Sequence, residues 1–179
     1  MTRYVSLLRG VNLGARNKVP MADLRTLFES LGAEDVQTYV QSGNVVFKSR
    51  QRDAAKLSAE IERRIGRELA LDIKVMLRTS AQLAKIVASN PFAASQGEGT
   101  RLHVTFLADA PTRARLRTLE STAFAPDEFQ VQGREVYLHT PNGYGRSKLS
   151  NAYFEKQLDV AATTRNWNTV TKLAELAAA

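Results

Sequence analysis

The sequence has no cysteine and only two histidines in 179 residues, His103 and His139. The lack of cysteine excludes a disulfide framework, a thiol nucleophile and a thiolate metal site. Neither histidine belongs to an H-E-x-x-H motif or a comparable cluster, so we expect no metal and no cofactor. No G-x-S-x-G elbow, Walker A sequence or dinucleotide fingerprint is present either.

Long apolar runs are also missing. Polar residues interrupt every apolar stretch within a few positions, far short of the roughly 20 residues that span a bilayer. Arg3 and Arg9 leave no uninterrupted apolar segment for a secretory signal. We therefore expect a cytoplasmic protein without a membrane partner.

Acidic residues are fewer than basic ones. The chain has 25 Lys and Arg against 18 Asp and Glu, a net charge of +7. Residues 1–90 hold 15 basic and 9 acidic side chains, whereas residues 91–179 hold 10 and 9. This excess favours an anionic partner. A solvated helix face is the alternative, because many of the basic residues lie in a predicted helix between Lys48 and Arg67.

Apolar periodicity predicts the elements of the first half. Residues 3–9 alternate as a strand, and Pro20 opens a helix that ends at Gly32. A hairpin turns at residues 42–44, and a second helix and a strand over residues 73–78 follow. The order is βαββαβ, the split βαβ pattern.

The same order starts again after a helix-like linker and a break at Asn90-Pro91 and residues 97–99. A strand begins at Leu102, a helix follows Pro111, and a hairpin turns around Gly133. A helix from about Ser147 to residue 158, a short extended piece and a terminal helix complete the pattern. We predict an α/β (α+β) protein of two tandem ferredoxin-like, alpha-beta plait units: residues 1–90, with the linker helix, and residues 91–179, with the C-terminal helix. A single mixed sheet across both halves is the alternative.

Two polar loops meet at one end of the first predicted sheet. Ferredoxin-like order makes the first two strands run the same way, which brings residues 9–18 next to the hairpin at residues 41–44. Glycines in these loops let backbone N–H groups approach an anion, and basic side chains add charge. The alternative is turn chemistry, with glycines at positive φ and asparagines bonding to the backbone. The anion-binding candidates of this half are Arg9, Asn12, Lys18, Ser42 and Asn44.

Two further polar segments stand out in the second half. Residues 141–148 form a Gly-rich basic loop in which Ser147 would cap the following helix, and which would bind phosphate or simply be a flexible loop. Residues 163–169 open the last helix around the only Trp, which is either a core anchor or a stacking platform. The candidates here are Arg146, Ser147, Lys148, Arg165, Asn166 and Trp167.

The two histidines form a weaker candidate. In the predicted topology His103 and His139 lie on neighbouring antiparallel strands, so that their rings would approach each other beside the Gly-rich loop. An acid/base pair and two ordinary hydrogen-bonded histidines at a sheet edge are the two readings.

Four segments together resemble a known bacterial family, domain of unknown function 1697 (DUF1697). They read LRGVNLG over residues 8–14, TYVQSGNV over 38–45, RSKL over 146–149 and TRNWNTV over 164–170. The resemblance covers nearly the whole chain and implies two small alpha-beta plait units. It settles nothing about activity, and no catalytic residue can be carried over from it.

The polar loops and the charge favour a binding module for a phosphate-bearing ligand, either a nucleotide or a nucleic acid. The RNP1 pattern of sheet-type RNA binders is missing, which argues against generic RNA binding. One alternative is an enzyme on a small phosphorylated or carboxylated metabolite; another is a structural or regulatory interaction domain. Partners are therefore an anionic small molecule or nucleic acid, and the oligomeric state is open.

Overall fold

The computed structural model describes residues 1–95, 99–120 and 123–179. Contacts divide the chain into two compact units, and each is described by itself. Unit 1 comprises Met1–Lys85 with Leu173–Ala179, and unit 2 comprises Ile86–Lys172. The predicted boundary at residue 90 stays a prediction, and residues 97 and 98 of the predicted break lie outside the described residues.

Unit 1 contains an antiparallel four-stranded sheet in the order β2-β3-β1-β4. Its elements follow one another as β1 Thr2–Leu8, α1 Met21–Ser30, β2 Glu34–Tyr39, β3 Asn44–Ser49, α2 Ala54–Leu69, β4 Val75–Thr79 and α3 Ser80–Ala88, of which α3 extends into unit 2. Each helix buries one stripe: α1 carries Leu24 and Phe28, and α2 carries Leu57, Ile61 and Ile65. Asp53 caps α2 because its carboxylate accepts the N–H groups of the first turn.

Unit 2 repeats this arrangement, with the strand order β6-β7-β5-β8. Its elements are β5 Leu102–Leu107, α4 Arg113–Leu116, β6 Glu128–Gln132, β7 Glu135–His139, α5 Asn151–Leu158, β8 Ala162–Asn166 and α6 Trp167–Ala178, of which α6 ends in unit 1. The core lies between the sheet and α5 and includes Leu107, Leu138, Leu149 and Phe154. The structure confirms a mixed α+β protein with two antiparallel sheets in its described part.

The structure corrects three local predictions in unit 2. The helix predicted from Ser147 begins at Asn151, because Ser150 Oγ accepts the N–H of Tyr153 and caps it. Ser147 Oγ instead accepts the N–H of Leu149, 3.1 Å away. The helix after Pro111 ends at Leu116. The extended piece predicted near Val160 is β8, which runs directly into α6.

The prediction that the rings of His103 and His139 approach each other is also wrong. The register pairs Leu102 with His139 and His103 with Leu138. Because directly paired residues share a face of a sheet and successive residues alternate, the two imidazoles point to opposite faces. They cannot form an acid/base pair.

In the described part of the chain, every helix is too short or too polar to span a bilayer. The described residues also form no group of three or more His, Asp or Glu side chains that would hold a metal ion.

Candidate functional site

The two polar loops of unit 1 meet as the topology predicts. Asn12 joins them: its Nδ2 donates to the carbonyl oxygens of Gln41 at 2.6 Å and Val19 at 3.0 Å, and its Oδ1 accepts the N–H of Val19 at 2.8 Å. All three bonds go to backbone groups. The amide of Asn12 is thus committed to holding the loop shape.

The hairpin at residues 41–44, which accepts the bond from Asn12, is also held by hydrogen bonds of its own. Asn44 is fully buried, and its Nδ2 donates to Tyr39 O and Ser42 Oγ. Gly43 has φ +79°, and a Cβ there would clash with Val11 and come within 2.9 Å of Leu8 Cβ. Asn12, Ser42 and Asn44 are therefore placed as the turn-chemistry alternative requires.

The basic candidates of unit 1 lie in the first loop. Lys18 is exposed, and Arg9 is half-buried, with its N–H donating to Lys74 O. Neither is among the residues that line the two pockets described below.

The Gly-rich loop of unit 2 is different, because its basic side chains reach a pocket. A pocket of about 350 Å³ is lined by Ala123–Asp127, Asn142, Gly143, Arg146 and Lys148. Arg146 and Lys148 are both exposed, and Gly143 adopts φ +94°. Sequence-predicted residues and an unpredicted segment, residues 123–127, thus form one concave surface, referred to here as the basic pocket.

A second pocket shares one wall with the first. It has a volume of about 540 Å³ and is lined by Phe92, Ala125–Asp127, Glu128, Phe129 and Gln130. Its distal part carries the carboxylate of Glu128 and the aromatic rings of Phe92 and Phe129. The continuous surface is therefore basic at the Arg146 end and acidic and aromatic at the other.

A partly buried chain of polar side chains supports the loop. Thr164 Oγ1 donates to Asn151 Oδ1 at 2.6 Å and lies 2.7 Å from Thr105 Oγ1. The Tyr144 hydroxyl also interacts with Thr164, and burial raises its pKa above the ordinary value while this hydrogen bond lowers it in part. Tyr144 belongs to the same loop as the two basic residues, so the chain fixes that loop to β8 and α5.

His103 packs against this chain. Its imidazole stacks on Tyr144 with ring centroids 4.5 Å apart, and it is 8% exposed. Burial lowers the pKa of His103 to about 4, so the ring is neutral at pH 7. Its buried Nδ1 finds no hydrogen-bond partner among the described residues.

The remaining candidates lie where β8 meets α6. The Arg165 guanidinium is buried and donates to Thr163 Oγ1 at 2.7 Å and to Thr164 O at 3.0 Å. Burial lowers its pKa to about 10. Asn166 is the cap of α6, since its Oδ1 accepts the N–H of Thr169 at 2.8 Å, and Trp167 is the half-buried first residue of that helix. None of the three lines the basic pocket.

Sequence reasoning missed the wall of the basic pocket and the polar chain. Phe124, Pro126 and Asp127 lie about 20 residues before Arg146, and no motif links them. The chain of Thr105, Asn151 and Thr164 comes from two strands and a helix. Only the alternation of β5 gave a signal, because it places Thr105 on the face of His103.

Comparisons with known proteins agree with this architecture. The model of a family described as "Protein of unknown function (DUF1697)" matches residues 1–137. Among solved structures, the conserved bacterial protein SP0830 from Streptococcus pneumoniae is similar, with a TM-score of 0.78 and 25% identity, covering 98% of each chain. No curated protein matches the chain significantly. Neither description names a ligand or a reaction.

Proposed function

We propose that this chain, which belongs to the DUF1697 family, is a binding module that holds a phosphate-bearing ligand in the basic pocket of unit 2. The observation that carries the proposal is the position of Arg146 and Lys148 in one concave surface. A guanidinium fork and an ammonium group supply charge-assisted hydrogen bonds to phosphate oxygens. The nearby glycines let backbone approach the same ligand closely.

The other lining residues narrow the ligand class. Phe124 and Pro126 give the pocket an apolar wall, and Asp127 adds a carboxylate. A carboxylate repels phosphate and accepts hydrogen bonds from amino or imino groups. This polarity favours a ligand with phosphate at one end and a flat, donor-bearing group at the other. A nucleotide has this form, and the volume of about 350 Å³ suits one small molecule better than a nucleic-acid strand.

The enzyme alternative has less support. Catalytic groups are expected to combine a strongly shifted pKa with access to the pocket. The groups with the strongest shifts, His103, Tyr137 and Arg165, are not among the pocket-lining residues. The interaction-domain alternative applies better to unit 1, whose motif asparagines bond internally.

Each unit is a ferredoxin-like plait, and the strand orders β2-β3-β1-β4 and β6-β7-β5-β8 support it. In both units two α-helices connect the four strands in the βαββαβ order.

A thermal-shift screen tests the proposed function. Purified protein is melted with nucleotides, sugar phosphates, short RNA and DNA, and carboxylate metabolites at two salt concentrations. A ligand that prefers the folded state raises the melting temperature by mass action. We expect a nucleotide to give the largest shift and its dephosphorylated nucleoside to give a much smaller one.

Matched variants locate the site in the same screen. Arg146→Gln with Lys148→Gln should abolish the shift. Arg113→Gln with Arg117→Gln removes the same charge from exposed positions on and beside α4 and should preserve it. If no phosphate-bearing ligand shifts the wild-type protein, or if both double variants lose the shift equally, the proposal is wrong.

A further inference from the structure

The hairpin of unit 1 contains one exposed residue with a strained backbone, Val40. Val40 adopts φ +52°, and its side chain is 49% exposed. The left-handed region is a genuine outlier for a β-branched residue, whereas the other non-glycine residues with positive φ are Asn, Asp or Ala. Glycine or asparagine would fit this backbone with less strain, so the aliphatic side chain is retained at a cost to folding.

A second exposed aliphatic residue lies in the loop that is hydrogen-bonded to this hairpin. Leu13 is 66% exposed, and its neighbour Asn12 donates to the carbonyl of Gln41, the residue after Val40. A tight turn, in which the N–H of Arg16 donates to Leu13 O at 3.2 Å, fixes the position of Leu13. The hydrogen bond from Asn12 therefore brings two exposed apolar side chains to one end of the sheet.

The two loop segments that carry these side chains contain basic residues and no acidic ones. Arg16 and Lys18 are exposed in the same loop. Residues 9–19 and 39–44 contain no Asp or Glu. The exposed residues of these two joined segments thus combine two aliphatic and two cationic side chains, Leu13, Val40, Arg16 and Lys18, and are together called here the hairpin surface.

We propose that the hairpin surface binds an acidic protein segment that carries aliphatic or aromatic side chains. The carboxylates would pair with Arg16 and Lys18, and the apolar side chains would cover Leu13 and Val40. A second copy of this chain fits less well, because each copy carries a net charge of +7. A nucleic acid fits less well too, because exposed aliphatic side chains offer no stacking platform for bases. This inference does not depend on the basic pocket.

Val40→Gly separates binding from stability, because the two should change in opposite directions. Removing the strain should raise the melting temperature by about 2–4 °C. The matched control is Ala70→Gly, at another exposed position with positive φ, +53°. It should also raise the melting temperature, without any change in binding.

The binding arm uses the full chain on an array of random 12-residue peptides. Wild type should select peptides rich in Asp or Glu together with Leu, Ile, Val or Phe. Measured by fluorescence anisotropy, the affinity for the best peptide should fall at least fivefold in Val40→Gly and in Leu13→Ser. Arg16→Gln with Lys18→Gln should weaken it more than Lys56→Gln with Arg63→Gln, which removes the same charge from exposed positions of α2.

Two outcomes would overturn the inference. One is an array with no preference for acidic, apolar peptides. The other is equal affinity of the best peptide for wild type and Val40→Gly. Arg146→Gln with Lys148→Gln should leave peptide binding intact, so failure of the basic pocket and failure of the hairpin surface give different results.

Discussion

The loop after β1 in unit 1 and the loop after β7 in unit 2 have nearly the same composition. Each has two glycines, an arginine and a lysine two residues apart, and asparagine. In unit 1 the amide of Asn12 makes three bonds to backbone groups, and the loop closes on a hairpin. In unit 2 a polar chain through Tyr144 and Thr164 supports the loop, which leaves Arg146 and Lys148 in a pocket.

The difference shows that composition does not decide whether a polar loop is a site. What differs is how each loop is held and where its cations lie. In unit 1 the amide of Asn12 bonds to the backbone and is not available to a ligand, and the exposed Arg16 and Lys18 line neither pocket. In unit 2 a polar chain holds the loop, and Arg146 and Lys148 line a concave pocket that suits a small anion. Substitutions in the two loops should therefore differ in their effect on stability.

Gly43→Ala should have the largest effect. A Cβ would meet Val11 and Leu8 at a position with φ +79°. Strain and overpacking together should lower the free energy of unfolding by about 3 kcal/mol, measured by urea denaturation. Gly14→Ala is the control: φ is +61° there, but no atom lies within 4 Å of its Cβ, so the loss should be about 1 kcal/mol. Equal losses in the two variants would contradict the close packing.

Asn12→Ala should come next. It removes three hydrogen bonds, two of them to the backbone of buried Val19, for a loss of about 2 kcal/mol in urea unfolding. Asn142→Ala, at an exposed pocket position, should change stability by less than about 0.5 kcal/mol. If the two losses were similar, the contrast between the loops would fail.

His103 should make the free energy of unfolding depend on pH, with an effect no larger than that of Asn12→Ala. Its pKa is about 4 in the folded state against the ordinary value of 6.5, so the unfolded chain binds more protons between these values. Stability should therefore fall as pH drops from about 6.5 to 4, by about 2 kcal/mol from this group. Urea unfolding at pH 7 and pH 4.5 should show a smaller difference for His103→Phe than for wild type. A pH difference in His103→Phe equal to that of wild type would refute the assignment.

Arg146→Gln with Lys148→Gln should have the smallest effect on folding. Both side chains are exposed, so the free energy of unfolding should change by less than about 0.5 kcal/mol. The same variant should lose nucleotide binding by tenfold or more in isothermal titration. A large loss of stability would show that these residues are structural.

Much of the fold could be predicted from periodicity. The stripe of Leu57, Ile61 and Ile65 identifies α2, and the alternation in β5 and β7 identifies those strands. The start of α5 was predicted three to four residues early, because Ser147 and Ser150 both fit a cap and only the burial of Leu149 distinguishes them. The strand β8 was underestimated because its polar Thr and Arg residues do not alternate with apolar ones.

The candidate site could be predicted only in part. Arg146 and Lys148 stand out in the sequence because they follow two glycines, Gly143 and Gly145. Phe124 and Asp127 do not, because a pocket wall assembled from a distant loop leaves no local pattern. His103 and His139 lie on opposite faces of the sheet because of the register between β5 and β7. A shift of one residue would reverse this, and the alternation of each strand does not fix the register.

The contrast between the two loops can be tested most directly by titrating ¹⁵N-labelled protein with inorganic phosphate and following the glycine amides in ¹H–¹⁵N spectra. The account predicts saturable shifts at Gly143 and Gly145, their loss in Arg146→Gln with Lys148→Gln, and little change at Gly10, Gly14 and Gly43. Saturable shifts at the unit 1 glycines, with none at Gly143 and Gly145, would contradict it.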